Sequence, residues 1–321
     1  MQPRVELHTA EGDTPYKELY HGEHGEYRSA IGCLLYLACI SRIDIAYAVS
    51  QVSQFSNKPT LEHWGAVKQI FRYLKGTKDY GIRIGSGKSG IEYPELFCSC
   101  DASFAGDPNC EISEKTGLLI GGRKSHTGYI FFYGMTPVSW KSTRQGRVSL
   151  SSTEAEVIAL VSACKEAVFL REICEWISPG TVKRPTKIEQ DNQSGIKLVN
   201  KKALGKRSRH YGKDYFFVTE KCEDDVIELI KQDTKEVLAD ALTKPMGPID
   251  FFRLMKDIQF DQNGNGLDKG SKELTLAQLH FTKGVCWGYN KSRYKQAKEY
   301  IFVKDQHFRT DRENTRTILQ G

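Results

Sequence analysis

Apolar residues recur with a helical period over the first quarter of the chain. Tyr27, Ile31, Leu34, Leu35 and Ala38 fall on one stripe, starting from Glu26. A second stripe runs from Asp44 to Val52. A third runs from Leu61 to Leu74, with Trp64, Val67, Ile70, Phe71 and Leu74 on one face and Lys68, Arg72 and Lys75 off it. Gly76 stops this helix. The pattern predicts a small helical module over 26–85 with short connections. Residues 1–25 are polar and predict a flexible entry segment.

The period then changes. Tyr80–Ile84, 95–105, Thr127–Tyr133 and Val138–Lys141 read as strands, with a turn at Gly134–Pro137 and an inserted loop over 107–122. Val148 and Leu150 read as the end of a strand. Ser151 and Ser152 then offer helix N-caps, and Glu154 stands at the capping-box distance from Ser151. Leu160, Cys164, Ala167, Leu170, Cys174 and Ile177 form the stripe of a long helix ending near Ser178-Pro179-Gly180. Beyond it follow a strand at Thr186–Gln190, helices at Ser194–Asn200 and Tyr211–Lys221, a strand at Val226–Ile230 and a helix at Leu238–Thr243. This order predicts an α/β domain over 92–250. Its mixed five-stranded sheet would combine an antiparallel meander with strands reached by helical crossovers.

Past about Phe260 glycine becomes frequent, then basic and aromatic residues interleave. Residues 251–321 are expected to form a poorly ordered tail. Asp261-Gln262-Asn263-Gly264-Asn265-Gly266 opens like a calcium loop, but Asp268 and Lys272 occupy the positions that need an apolar residue and a glutamate. A Gly/Asn turn is the better reading, which argues against a calcium- or partner-binding module there.

Charge narrows the chemistry only a little. A net charge of +6 and a pI near 8.7 permit a nucleic-acid partner without requiring one. Nine scattered cysteines without a C-x-x-C pair fit a reducing intracellular compartment, cytoplasmic or nuclear. Cys98 and Cys100 share one side of a strand and read as core. No apolar run is long enough to span a membrane, and no signal-peptide pattern is present.

Four acids stand at the ends or starts of successive elements: Asp101, Glu156, Asp191 and Asp240. Asp101 interrupts an apolar strand, and Asp240 lies within Leu238-Ala239-Asp240-Ala241-Leu242. An isolated ionised acid in such surroundings is costly, and gathered acids repel one another. A divalent cation resolves both problems, and hard oxygen donors select magnesium or manganese.

The chain resembles the C-terminal part of the Pol polyprotein of Ty1/copia-type LTR retrotransposons, from about Tyr27 to Pro248. The blocks that carry the resemblance are Tyr27–Ala38, Asp44–Ser50, Arg72–Thr77, Asp101–Asp107, Val138–Lys141, Leu150–Ala159, Asp191–Ser194 and Ala239–Lys244. It implies a reverse-transcriptase connection remnant followed by an RNase H-like domain. It also implies hydrolysis of RNA in RNA–DNA hybrids, two Mg2+ or Mn2+ ions and a polymerase partner. By position, Asp101, Glu156, Asp191 and Asp240 match the family's metal-binding acids. His210 matches a histidine of proton transfer or product release, although it reads equally well as a surface residue beside Arg207 and Arg209. Asn192 and Gln193 are candidates for contact with the nucleic acid or, equally, for a turn and N-cap. Lys206, Arg207 and Arg209 would meet phosphates. Ser103 stands where the family usually has a second aspartate, and no Tyr-x-Asp-Asp polymerase motif is present. The competing expectation is a catalytically inactive nucleic-acid-binding remnant.

Overall fold

Helices α1 (His21–Ile40), α2 (Ala46–Ser53) and α3 (Leu61–Gly76) fill the three stretches with helical period. The computed structural model describes residues 21–82, 84, 95–105, 110–112, 119–121, 124–201, 212–256 and 258–260. α3 begins at a capping box with an unusual third residue. The Thr60 hydroxyl accepts from the His63 N–H, and His63 Nδ1 accepts from the Thr60 N–H at 3.0 Å. A histidine thus takes the part usually played by glutamate.

Between these helices lies a buried polar network. The Arg42 guanidinium donates to both carboxylate oxygens of Asp44, at 3.0 and 2.7 Å, and to the Thr77 carbonyl at 2.9 Å. The Tyr73 hydroxyl donates to Asp44 at 2.7 Å. Arg42 is 4% exposed and Asp44 5%, so the pair is held out of water. It ties the loop after α1 to the end of α3, which are far apart in sequence.

A short strand β1 (Gly81–Ile82) follows, then β2 (Leu96–Ser103), β3 (Cys110–Ile112), β4 (Leu119–Gly121), β5 (His126–Tyr133) and β6 (Thr136–Arg144). Helix α4 (Ser152–Ile177), strand β7 (Thr186–Gln190), helices α5 (Gln193–Lys201) and α6 (Gly212–Glu223) and strand β8 (Ile227–Lys231) come next. The described chain closes with α7 (Asp240–Thr243), α8 (Pro248–Met255) and β9 (Gln259–Phe260).

The main sheet has the order β6-β5-β2-β7-β8. β2, β5 and β6 are antiparallel neighbours, whereas β7 and β8 run parallel to β2. This is an RNase H-like mixed sheet with flanking helices. Both faces are covered, which explains why β2 and β5 are buried almost continuously rather than at alternate residues. One face carries Cys98, Cys100, Tyr129 and Phe131 and packs on α4 and α6. The other face carries Ile130 and Phe132. These share one core with α1, α2 and α3 and with Ala241, Leu242, Phe251, Phe252 and Met255. Trp140 on β6 pins the module to the sheet by donating its indole N–H to the Ala38 carbonyl at 2.6 Å. Among the described residues no helix is long and apolar enough to cross a membrane.

The strand and helix order is the one the sequence predicts, but several details differ. Val148 and Leu150 do not end a strand: β6 stops at Arg144, and both residues are exposed. The Leu150 N–H is instead bonded by Glu154 at 2.7 Å as the chain turns into α4. Leu35, Phe71 and Ile177 lie on the predicted stripes yet are exposed, while His63 and Tyr73 are buried through their polar partners. The described parts of the insertion over 107–122 pair as the β3–β4 hairpin. The tail predicted from residue 251 begins too early. Phe251, Phe252, Leu254, Met255 and Ile258 are buried, and β9 pairs with β1 through Gly81↔Phe260. Their apolar stripe completes the core between the helical module and the sheet. Residues 261–321 lie outside the described residues.

Asp44→Ala should cost about 3–5 kcal/mol of unfolding free energy, because it leaves Arg42 buried without its counter-charge. Urea denaturation checks this, and a loss below about 1 kcal/mol would mean that water reaches the guanidinium.

Candidate metal centre

β2 and β7 are parallel neighbours in the register Ser99↔Glu189. Two residues further on, this register brings Asp101 on β2 beside Asp191, which follows the last residue of β7. The carboxyl end of adjacent parallel strands is where open α/β sheets place their ligands. Glu156 reaches the same spot from the second turn of α4.

The entry of α4 is fixed by side chains. Ser151 Oγ accepts from the Glu154 N–H at 3.1 Å, as the cap spacing predicts. The Glu154 carboxylate turns back to Leu150 rather than to the cap residue itself. Buried Gln145 donates to the Ala155 carbonyl at 2.9 Å and to Thr127 Oγ1 at 3.0 Å, tying the helix start to β5. Glu156 is therefore set in place by a glutamine that no local pattern singles out.

Asp101, Glu156 and Asp191 each offer a carboxylate oxygen, and these oxygens all lie within 4.8 Å of one another. Asp101 is 4% exposed and Glu156 7%, whereas Asp191 is half-buried. Burial, followed by the charges of Asp101 and Asp191, pushes the Glu156 carboxyl well above the usual carboxylate range. Asp240 approaches from α7, near enough to Asp101 to feel its charge. Burial and the Asp101 charge push it up to about 7, although Lys244 pulls the other way.

Four further residues complete the site. The Thr243 hydroxyl donates to Asp101. The Gln190 amide donates to Glu156 Oε2. Lys244 Nζ lies 2.7 Å from Asp240 Oδ2. Gly128, directly opposite Asp101, lets α7 come close: a Cβ there would lie 2.6 Å from Thr243 Cγ2, 2.8 Å from Leu242 Cβ and 3.1 Å from the Ala239 carbonyl. Sequence reading missed all four. Gln190 left one trace, as a polar residue at an inward position of the alternation Thr186, Ile188, Gln190.

Other predicted residues fall apart from this group. Asn192 Oδ1 accepts from the Gly195 N–H at 3.1 Å, the turn-and-cap geometry at the start of α5, and Gln193 is exposed on its first turn. Lys206, Arg207, Arg209 and His210 lie outside the described residues. Cys98 and Cys100 are buried in the core, and burial raises both thiols well above the ordinary range, so they are poor ligands.

No protein-family model matches the chain. It is 36% identical over 232 residues to a retrovirus-related Pol polyprotein from transposon TNT 1-94 of Nicotiana tabacum, covering 72% of this chain and 16% of that protein. A retrovirus-related Pol polyprotein from transposon RE2 of Arabidopsis thaliana is 33% identical over 235 residues, covering 73% and 15%. Secreted RxLR effector protein 161 of Plasmopara viticola is 40% identical over 147 residues, which cover 45% of this chain and 90% of that protein. Among solved structures, the N-terminal RNase H domain of a Mycobacterium tuberculosis protein, fused to maltose-binding protein, aligns with 47% of this chain and 91% of that one. The identity is 14% and the TM-score 0.33, too loose a likeness to carry an argument. The chain thus spans only 16% and 15% of the two transposon polyproteins it matches. On these relatives, the chain belongs to the Ty1/copia-type retrotransposon Pol polyproteins, of which it represents a part.

Proposed function

We propose that this domain is a divalent-metal-dependent ribonuclease H that hydrolyses the RNA strand of RNA–DNA hybrids. The observation that carries the proposal is the convergence of Asp101, Glu156 and Asp191, with oxygens within 4.8 Å of one another. The donors suit the cation, since all are hard oxygens of the kind magnesium and manganese prefer. Two polar atoms beside the cluster, Asp240 Oδ1 and Gln190 Oε1, are also buried without a hydrogen-bond partner. Acids held together at this depth need a counter-charge, and a cation supplies it.

Asp101, Glu156 and Asp191 would hold one ion, and Asp240 beside Asp101 would complete a second position. Magnesium or manganese bound there would activate the attacking water and steady the leaving oxygen of the phosphodiester. Thr243 and Gln190 keep Asp101 and Glu156 oriented towards the cluster. The 2′-hydroxyl is the chemical mark by which RNA is told from DNA. In this reading Asn192, Gln193, Lys206, Arg207 and Arg209 contact the nucleic-acid strands. His210 serves proton transfer or product release, and the polymerase part of a reverse transcriptase is the natural partner.

Cleavage of a labelled RNA–DNA hybrid with and without magnesium tests the proposal. Asp191→Asn is expected to lower the rate by roughly a thousandfold or more, because it removes a charged ligand needed in the transition state. Hybrid binding by the variant should persist and weaken with rising salt, since it depends on phosphate contacts. Wild-type protein that binds hybrids but cleaves none with either metal would instead be an inactive nucleic-acid-binding remnant.

The cluster should also make stability depend on pH. Glu156 and Asp240 hold their protons more tightly in the folded chain than in the unfolded one. Without metal, the contribution of Asp240 to stability is therefore complete below its ordinary value of 3.8 and is lost as pH rises through about 7, and that of Glu156 is lost in the same direction, above the usual carboxylate range. Melting curves across this window should show a smaller loss for Asp240→Asn than for wild type. Manganese should raise the wild-type melting temperature more on the alkaline side. An Asp240→Asn curve parallel to wild type would place Asp240 outside the coupled group.

A further inference from the structure

One row of residues crosses the sheet beside the acids: Asp101 on β2, Gly128 on β5 and Ser142 on β6, each directly opposite the next. Residues opposite one another in antiparallel strands share a face, and α7 lies over the middle of this row, against Gly128. The short helix is held on both sides of that glycine. On one side the Thr243 hydroxyl donates to Asp101. On the other the Ser142 hydroxyl donates to the Leu242 carbonyl at 2.6 Å. Carbonyls in the last turn of a helix have no partner further along it, so a side chain from the sheet supplies one here. The peptide it grips joins Leu242 to Thr243.

His126 precedes Gly128 by two residues on β5 and so faces the same side. Its Nε2 lies 2.9 Å from Ser142 Oγ. A serine hydroxyl has one proton, and a carbonyl can only accept. Ser142 gives its proton to Leu242 and accepts from His126, which places a hydrogen on Nε2. The imidazole is 5% exposed and meets Tyr47 of α2 edge-on, with ring centroids 5.2 Å apart and planes at 78°. A hydroxyl engaged both as donor and as acceptor has a fixed orientation, and the ring that fixes it packs on the helical module.

We infer that His126 is a positioning residue of the proposed ribonuclease, a role that rests on the reading above: through Ser142 and the Leu242 carbonyl it seats α7, holding Thr243 against Asp101 and Asp240 at the cluster. A buried ring that only filled space could be replaced by phenyl. The relay needs the N–H.

The test compares His126→Phe, His126→Gln, Ser142→Ala and the double variant His126→Phe/Ser142→Ala in the full chain. Two properties are measured: manganese-supported cleavage of an RNA–DNA hybrid, and amide hydrogen exchange of the free protein without metal or nucleic acid. Phe keeps a ring against Tyr47 and loses the donor, whereas Gln offers a side-chain N–H at a similar reach. His126→Phe and Ser142→Ala are each expected to lower kcat about tenfold with KM within about twofold, because the reacting groups are displaced and hybrid binding is not. The double variant should show the same loss and not about a hundredfold, since both changes break one relay. His126→Gln should recover most of the loss. The Leu242 and Lys244 N–H groups, which close α7 on the Ala239 and Asp240 carbonyls, should exchange about tenfold faster in both single variants, while Ile130 at the centre of the sheet keeps its rate. Ser142→Ala, a truncation of a half-buried side chain, supplies both measurements even if His126→Phe does not fold. Unchanged exchange in α7, an equal quickening at Ile130, His126→Gln as impaired as His126→Phe, or losses that multiply in the double variant would each overturn the inference. A wild type that cleaves no hybrid would overturn the ribonuclease reading, and exchange would still decide whether the relay seats α7.

Discussion

At the open end of the central strand, buried Asp101 repels two other buried carboxylates, Glu156 and Asp240, and that repulsion is the constraint the surrounding structure must meet. Each has its own tether. Thr243 donates to Asp101, Gln190 to Glu156 and Lys244 to Asp240. Such donors favour the ionised form, yet burial and the neighbouring charges win at Glu156 and Asp240, whose carboxyls are shifted upwards. The tethers therefore orient the acids without neutralising the group. A site meant only for stability would be better served by apolar packing or by a complete set of counter-charges. Unbalanced negative charge in a fixed arrangement, with two unpartnered oxygens beside it, is what the proposed metal site requires.

Much of this arrangement was legible in the sequence. Strands and helices keep their periods over long stretches, so the order of elements and the mixed sheet follow from patterning alone. The four acids stand out because Asp101 and Asp240 interrupt apolar runs. What stayed hidden depends on contacts between distant residues. Nothing local marks Tyr73 as buried, since its burial depends on Asp44 and Arg42 across 29 and 31 positions. Gln145 and Gln190 are ordinary polar residues until Ala155 and Glu156 are brought to them. Gly128 reads as a weak point in a strand, and only the approach of α7 shows why a side chain does not fit there. The packing of α8 stays hidden for a related reason. The stripe of α8 is apolar enough for a helix, but composition changes soon after it, and the partners that bury it come from the helical module and the sheet.

That last core bears on the site itself. α7 is four residues long and has little stability of its own, so its position is set by what surrounds it. It packs against β5 on one side and α2 on the other. Ala241 and Leu242 belong to the same buried cluster as Val49, Val52 and Ile70 from the helical module. Ser142 on β6 adds a hydrogen bond to the Leu242 carbonyl at 2.6 Å. Asp240, Thr243 and Lys244 all project from this short helix or its end. A polypeptide holding only the sheet and its later helices would keep Asp101, Glu156 and Asp191 in register through β2, α4 and β7. It would lose one wall of the groove that holds α7, and with it the placement of Asp240 and of the tether on Asp101. The helical module is thus more than a leftover in front of the domain: it completes the packing that brings the fourth acid to the other three.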